Sequence, residues 1–166
     1  MNNVVLIGMP GSGKSTIGVV LAKILGYEFL DSDLVIQKRE KRRLSEIIAA
    51  EGSEGFLKIE NDVNCSLNPE RTVIATGGSV IYGAEAMEHL SKIGTIIYLK
   101  LKYKNLARRL GNLKNRGVVL KDGQTLLDLY NERIPLYEKY AHITIDEKNK
   151  DIQDIALEIE GILRKC

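Results

Sequence analysis

Residues 8–15 have the types and the spacing that bind the phosphates of a nucleoside triphosphate. They are Gly-Met-Pro-Gly-Ser-Gly-Lys-Ser and match G-x-x-x-x-G-K-[ST] at every fixed position. Glycines let the backbone wrap the phosphates with its N–H groups pointing inward. Lys14 can then reach the β- and γ-phosphates, and the hydroxyl of Ser15 can bind Mg²⁺. A chance glycine-rich turn is the alternative, but the buried strand predicted before the motif and the helix after it favour nucleotide binding.

Two carboxylates, Asp31 and Asp33, follow the strand predicted at residues 27–30. The next two predicted strands are followed by Thr76 and Lys100, so neither of them ends in an acid. A carboxylate at such a strand end can hold Mg²⁺ through water or orient an acceptor hydroxyl. Asp31 could instead cap the following helix, and the two roles can coexist. An acidic early strand end in a short chain predicts a small-molecule kinase.

A strongly basic segment lies at residues 100–121. It holds eight Lys or Arg side chains and no Asp or Glu. A solvated helix face is the ordinary explanation of such a segment. Because a phosphate-binding motif lies elsewhere in the chain, we also consider that the basic side chains of this segment contact the phosphates of the bound nucleotide.

The elements that position these residues alternate between strand and helix. Continuous apolar runs predict the strands, and apolar residues three or four apart predict the helices. The strands are expected at residues 4–7, 27–30, 71–75, 95–99 and 142–145. The helices are expected at 17–25, 34–39, 44–51, 54–67, 84–90, about 106–113, 126–140 and 152–163. This alternation predicts a parallel sheet covered by helices on both faces.

Composition narrows the functional classes further. The 166 residues predict a single domain over 1–166, and 24 basic against 22 acidic side chains give a net charge of +2. That charge offers no reason to expect nucleic-acid binding, and no apolar run approaches the roughly 20 residues of a membrane span. The N-terminus lacks a signal-peptide pattern, and two cysteines do not make a disulfide framework. We therefore expect a cytoplasmic protein, and a monomer is our expectation for its oligomeric state.

Several motifs, taken together, resemble the shikimate kinase family over nearly the whole chain. They are residues 8–16, Asp31-Ser32-Asp33, Gly52 with Phe56 and Glu60, Thr76-Gly77-Gly78, Arg116 and residues 132–137. The resemblance implies a three-layer α/β sandwich of the nucleoside-monophosphate-kinase type, with five parallel strands in the order 2-3-1-4-5. It also implies that ATP, with Mg²⁺, phosphorylates the 3-hydroxyl of a small-molecule substrate, shikimate. The acceptor-binding region would be about 32–60, and a lid would be about 111–123.

The same resemblance assigns roles to individual residues. Lys14, Asp33 and Arg116 would be catalytic, with Asp33 as the candidate base. Ser15 and Asp31 would hold the metal. Asp33, Gly77, Gly78 and Arg133 would bind the substrate, with Arg133 paired to its carboxylate. The ATP-binding residues would be Gly11, Ser12, Gly13, Lys14, Ser15, Thr16, Arg109 and Arg116.

Some of these residues also have plain structural explanations. Arg133 could form a surface ion pair with Glu132 or Glu138, and Gly77 with Gly78 could be an ordinary strand-to-helix turn. The spacing of Tyr130, Tyr137 and Tyr140 favours one packed helix face over a binding stripe.

The match departs from the family pattern on the substrate side. Leu57 stands where the family has a second carboxylate-binding arginine, and Ser79 stands where it has a third glycine. The lid has Gly117 after Arg116 instead of the proline common there. Two alternatives therefore stay open. One is a related kinase of another polyol or hydroxy acid, and the other is a non-catalytic ATP-binding regulatory module.

Overall fold

Five strands within residues 2–110 and 121–166, the part of the chain that this computed structural model describes, form one parallel sheet. Their order across the sheet is β2-β3-β1-β4-β5, as predicted. The strands are β1 (Asn3–Ile7), β2 (Glu28–Asp31), β3 (Thr72–Ala75), β4 (Gly94–Lys100) and β5 (Ile143–Asp146). All the neighbouring pairs run parallel, so each connection crosses over the sheet through helices.

The helices agree with the predicted ones to within a few residues. They are α1 (Lys14–Leu25), α2 (Ser32–Glu40), α3 (Leu44–Ser66), α4 (Ala84–Ile93), α5 (Tyr103–Arg109), α6 (Leu126–Tyr140) and α7 (Ile152–Arg164). A 3-10 turn at Val80–Tyr82 was not predicted. Leu113, expected in the helix that includes α5, lies outside the described residues. None of the helices in the described ranges is both long and apolar enough to cross a lipid bilayer.

The two faces of the sheet build separate cores because successive strand residues point to opposite sides. Val4 and Leu6 pack with α1 and α7, whereas Val5 and Ile7 pack with α4 and α6. All four side chains are at most 3% exposed. The central strand is therefore buried on both faces, which explains its continuous apolar run.

A third, smaller core joins α2 to α3 at the β2 edge of the sheet. It consists of Ile36, Ile47, Phe56 and Val63. Helix α3 is interrupted at Gly52, whose φ of 74° and ψ of 176° are not helical. This break is why the sequence predicts two helices here, with Gly52 between them. The second half of α3 contributes Phe56 and Glu60 to the cavity described below.

Candidate active site

The phosphate-binding loop connects the end of β1 at Ile7 to the start of α1 at Lys14. Gly13 has a φ of 87°, in the left-handed region that favours glycine. The Ser12 N–H donates to the Met9 carbonyl at 3.1 Å, which closes the turn. The loop thus connects the buried strand β1 to the N-terminus of α1, an arrangement that can bind anions.

Lys14 is buried inside this loop. Its Nζ donates to the carbonyl oxygens of Gly8 at 2.7 Å and Met9 at 2.8 Å. Burial lowers the pKa of Lys14 to about 8, and the negative charge of Asp33 opposes that shift. The ammonium group is therefore fixed beside the loop, where it can neutralise phosphate charge.

Ser15, in the first turn of α1, contacts Asp31 at the end of β2. The Ser15 hydroxyl donates to Asp31 Oδ2 at 2.9 Å, while Asp31 Oδ1 accepts from the Asp33 N–H at 2.9 Å. Asp31 is therefore the N-cap of α2, as one of its two predicted roles requires, and its other carboxylate oxygen lies at Ser15, so the cap leaves room for the predicted metal role. Hydroxyl and carboxylate oxygens are the hard ligands that Mg²⁺ prefers.

Few side chains near Ser15 and Asp31 could act as metal ligands. Within residues 2–110 and 121–166 there is no group of three or more His, Cys, Asp or Glu side chains able to hold a metal. A site with few protein ligands suits Mg²⁺, which keeps several waters and is usually completed by substrate phosphates. The residues present thus fit the Mg²⁺ that the resemblance implies.

One cavity of about 340 Å³ joins the phosphate-binding loop to the predicted acceptor residues. On the loop side it is lined by Gly11, Gly13, Lys14, Ser15 and Thr16. On the acceptor side it is lined by Asp33, Gly77, Gly78 and Arg133. Ser12 is fully buried and does not line it. We call this cavity the acceptor pocket.

Gly77 and Gly78 leave no room for side chains. A Cβ at Gly77 would lie 2.6 Å from Asp33 Oδ1 and 2.8 Å from Glu60 Oε2. A Cβ at Gly78 would lie 2.9 Å from Arg133 Nη1. Real Cβ atoms do not approach other atoms this closely. Unlike many strand-to-helix turns, this loop therefore has space only for glycine at positions 77 and 78.

Arg133 is a buried residue of the acceptor pocket rather than part of a surface ion pair. Only 1% of it is exposed, and its Cζ lies 5.4 Å from the ring centroid of Tyr82. A cation over an aromatic face is stabilised by the ring quadrupole. Glu132 pairs instead with Lys121, at 3.1 Å. A fixed guanidinium in a pocket of this size can bind a carboxylate through two parallel hydrogen bonds.

Asp33 lines the acceptor pocket. Burial and the charge of Asp31 raise its pKa to about 6, while Lys14 opposes the shift. Its Oδ1 has no hydrogen-bond partner among the described residues. An unpartnered carboxylate oxygen can accept a hydrogen bond from an acceptor hydroxyl and then take its proton.

Glu60 and Ser79 also line the pocket, although the sequence motifs predict no role for either residue. The Ser79 hydroxyl donates to Glu60 Oε1 at 2.6 Å, and Glu60 Oε2 has no partner within the described ranges. Burial raises the pKa of Glu60 to about 8. A charged residue on the apolar stripe of Phe56 and Val63 was the pattern that could have identified it.

The tyrosine stripe on α6 is packed, as its spacing favours, but one member also supports the site. Tyr137 is fully buried and stacks on Tyr98 with ring centroids 5.0 Å apart. Its hydroxyl donates to the Gly78 carbonyl at 2.6 Å. The Tyr130 hydroxyl donates to the Leu101 carbonyl, away from the pocket.

Arg109 and Leu57, which are both described, do not line the acceptor pocket. Arg109 Nη1 donates to the Gly11 carbonyl at 3.2 Å, so this arginine lies against the phosphate-binding loop. Arg116 and most of the predicted lid fall outside the described residues. Leu57 lines a second cavity of about 500 Å³, together with Tyr82, Leu129 and Glu132, and not the acceptor pocket. Tyr82 also contacts Arg133, so the second cavity lies close to the acceptor pocket.

Comparison with known proteins agrees with this geometry. A family model described as shikimate kinase matches residues 10–164. The chain is 36% identical over 162 residues to the shikimate kinase of Thermodesulfovibrio yellowstonii, covering 96% of this chain and 93% of that one. It is 37% identical over 166 residues to the shikimate kinase of Vibrio vulnificus, covering 98% and 96%. A solved shikimate kinase from Acinetobacter baumannii, in complex with shikimate, matches with a TM-score of 0.89 at 34% identity, covering 99% and 94%.

Proposed function

The chain belongs to the shikimate kinase family of ATP-dependent kinases, and on that premise we propose how its residues phosphorylate the 3-hydroxyl of shikimate. One observation carries the proposal. Lys14 and Ser15 of the phosphate-binding loop line the same cavity as Asp33, Gly77 and Arg133. A phosphate donor and a hydroxylated acid can therefore meet in one place, and positioning supplies most of the catalysis of phosphoryl transfer.

On the ATP side, residues 11–16 would bind the phosphates through backbone N–H groups and Lys14. Ser15 and Asp31 would hold Mg²⁺, which when bound neutralises phosphate charge. Arg109, at the Gly11 carbonyl, would contact the nucleotide. By resemblance, Arg116 would close over the phosphates from a lid at about 111–123.

On the acceptor side, Arg133 would pair with the substrate carboxylate, and Gly77 and Gly78 would leave space for the ring. The Asp33 carboxylate would accept the proton of the acceptor hydroxyl. The hydroxyl oxygen then forms a bond to the γ-phosphorus as the bond from that phosphorus to the bridging oxygen breaks, and ADP leaves. Asp33, Phe56 and Glu60 line the pocket, which supports an acceptor region at about 32–60.

A coupled assay of ADP release with ATP, Mg²⁺ and shikimate tests this function. We expect saturable turnover with shikimate, and loss of turnover without loss of ATP binding in Asp33→Asn. No turnover with shikimate at millimolar concentration, but turnover with another compound from a panel of polyols and hydroxy acids, would assign a different acceptor. ATP binding with no turnover on any acceptor would favour the regulatory module. The location in the cytoplasm and the monomeric state remain predictions.

A further inference from the structure

Glu147 is a buried acidic residue with no part in the mechanism proposed above. It directly follows β5, at the same edge of the sheet as the phosphate-binding loop. Its side chain is only 2% exposed. Its backbone N–H donates to the Lys100 carbonyl at 3.0 Å, which ties it to the end of β4. A carboxyl group this deeply buried is costly unless another group compensates for the lost water.

The compensating group is Arg109. Glu147 Oε1 lies 3.7 Å from Arg109 Nη1, and the same nitrogen donates to the Gly11 carbonyl at 3.2 Å. Arg109, at the end of α5, therefore links the residue that follows β5 to the phosphate-binding loop. The Arg109 side chain is 47% exposed, so part of it is in contact with solvent.

We infer that Glu147 is a positioning residue that holds Arg109 against the phosphate-binding loop and thereby strengthens ATP binding. The inference rests on the proposed role of Arg109 in ATP binding. A long arginine side chain loses rotamer freedom when it binds a ligand, and a carboxylate that orders it beforehand reduces that loss. Glu147 does not line the acceptor pocket, and its nearest cation is Arg109, so we expect its effect to fall on the binding of the nucleotide and not on that of the acceptor.

The protonation of Glu147 gives this role a recognisable pH dependence. Burial raises its pKa to about 7 and Asp146 adds to the shift, whereas the positive charges of Arg109 and Lys14 oppose it. Only the ionised carboxylate attracts the guanidinium strongly. ATP binding supported by Glu147 is therefore present above pH 7 and is lost as the pH falls through that value.

The test is Glu147→Gln, which keeps the shape of the side chain and removes the charge. We expect the Kd and KM for ATP to rise about fivefold to tenfold, with kcat and the KM for shikimate within twofold of wild type. The matched control is Glu138→Gln, because Glu138 also pairs with a cation, Lys100, at 3.8 Å but is half exposed. It should change none of these values. Glu147→Asp keeps the charge and should keep the pH dependence.

Two further comparisons decide the outcome. In an Arg109→Ala background, Glu147→Gln should have no additional effect on ATP binding, because the residue acts through Arg109. From pH 8 to pH 6, the ratio of the ATP KM of Glu147→Gln to that of wild type should fall towards one. An equal rise in the KM for shikimate, or an effect that persists without Arg109, would overturn the inference. If Arg109→Ala binds ATP as wild type does, both the inference and the proposed role of Arg109 are wrong. If only Glu147→Gln is silent, the inference alone is wrong.

Discussion

The hydroxyl of Tyr137 donates a hydrogen bond of 2.6 Å to the carbonyl oxygen of Gly78, which couples the middle of α6 to the glycine loop of the acceptor pocket. Arg133 lies one turn earlier on the same helix. Helix α6 therefore supplies both a pocket side chain and the contact that fixes the loop facing it.

Tyr137→Phe removes this hydrogen bond and leaves the ring in place. We expect the free energy of unfolding to fall by about 1–3 kcal/mol, because a buried carbonyl loses its partner. The KM for shikimate should also rise, since the Gly78 loop is less firmly held. Denaturant unfolding and steady-state kinetics measure the two effects. Tyr130→Phe is the control, because its hydroxyl contacts Leu101 instead. It should affect stability but not the KM for shikimate.

Gly77→Ala introduces a methyl group between two carboxyl groups. The new Cβ would lie within 3 Å of both Asp33 Oδ1 and Glu60 Oε2. Because a displacement of about 1 Å in the site can cost about 100-fold, we expect kcat/KM for shikimate to fall by that factor. ATP binding should be retained. Gly161→Ala, in open space on α7, should leave the kinetics unchanged. Wild-type kinetics in Gly77→Ala would show that substrate does not use this space.

Much of the fold could be predicted because its causes are local. The apolar run before Gly8, the apolar stripe of α7 and the break at Gly52 each depend on neighbouring residues. The 3-10 turn at Val80–Tyr82 was missed because so short an element has no periodicity to detect.

From local patterns alone, the candidate site was predictable only where a motif keeps its members together. The phosphate-binding loop and the pair Asp31 and Asp33 are such cases, whereas Gly77, Gly78, Arg109 and Arg133 were assigned by the family resemblance. Two hydrogen bonds of the site join residues that are far apart in the chain. One connects Ser79 to Glu60, and the other connects Arg109 to Gly11. Only the packing of helices on the sheet brings those residues together, and no local pattern encodes such distances.

Asp31→Asn should weaken the use of Mg²⁺ without unfolding α2. Asparagine caps helices as well as aspartate does, so the cap on α2 survives the change. The lost negative charge beside Ser15 should raise the Mg²⁺ concentration for half-maximal activity by about tenfold or more. Titration of activity with MgCl₂ measures this shift, and chelation by EDTA should abolish activity. Asp151→Asn, the same change at the N-cap of α7, is the control and should leave the Mg²⁺ dependence unaltered.

Glu60 makes stability depend on pH. Its pKa in the folded protein is about 8, above the ordinary 4.5, so the folded state binds more protons than the unfolded state between these values. The free energy of unfolding should therefore fall as the pH rises through this window, by up to ~1.4 kcal/mol per pH unit from this group. Glu60→Gln should flatten the decline in urea unfolding between pH 5 and pH 8. Glu85→Gln, at an exposed site, should not. An equally steep decline in Glu60→Gln would contradict the assignment.

Leu57→Arg tests whether a second arginine at residue 57 can bind the substrate carboxylate. The family resemblance implies an arginine at this position, and Leu57 lines the same second cavity as Tyr82, whose ring contacts Arg133. A guanidinium at residue 57 that reaches the substrate carboxylate adds a charge-assisted hydrogen bond, which is worth about 1.5–3 kcal/mol. We therefore expect the KM for shikimate to fall by about tenfold or more, with the KM for ATP unchanged. Leu57→Met, which keeps the side chain apolar, should leave both values as they are. An unchanged or raised KM for shikimate in Leu57→Arg would show that residue 57 does not face the substrate carboxylate.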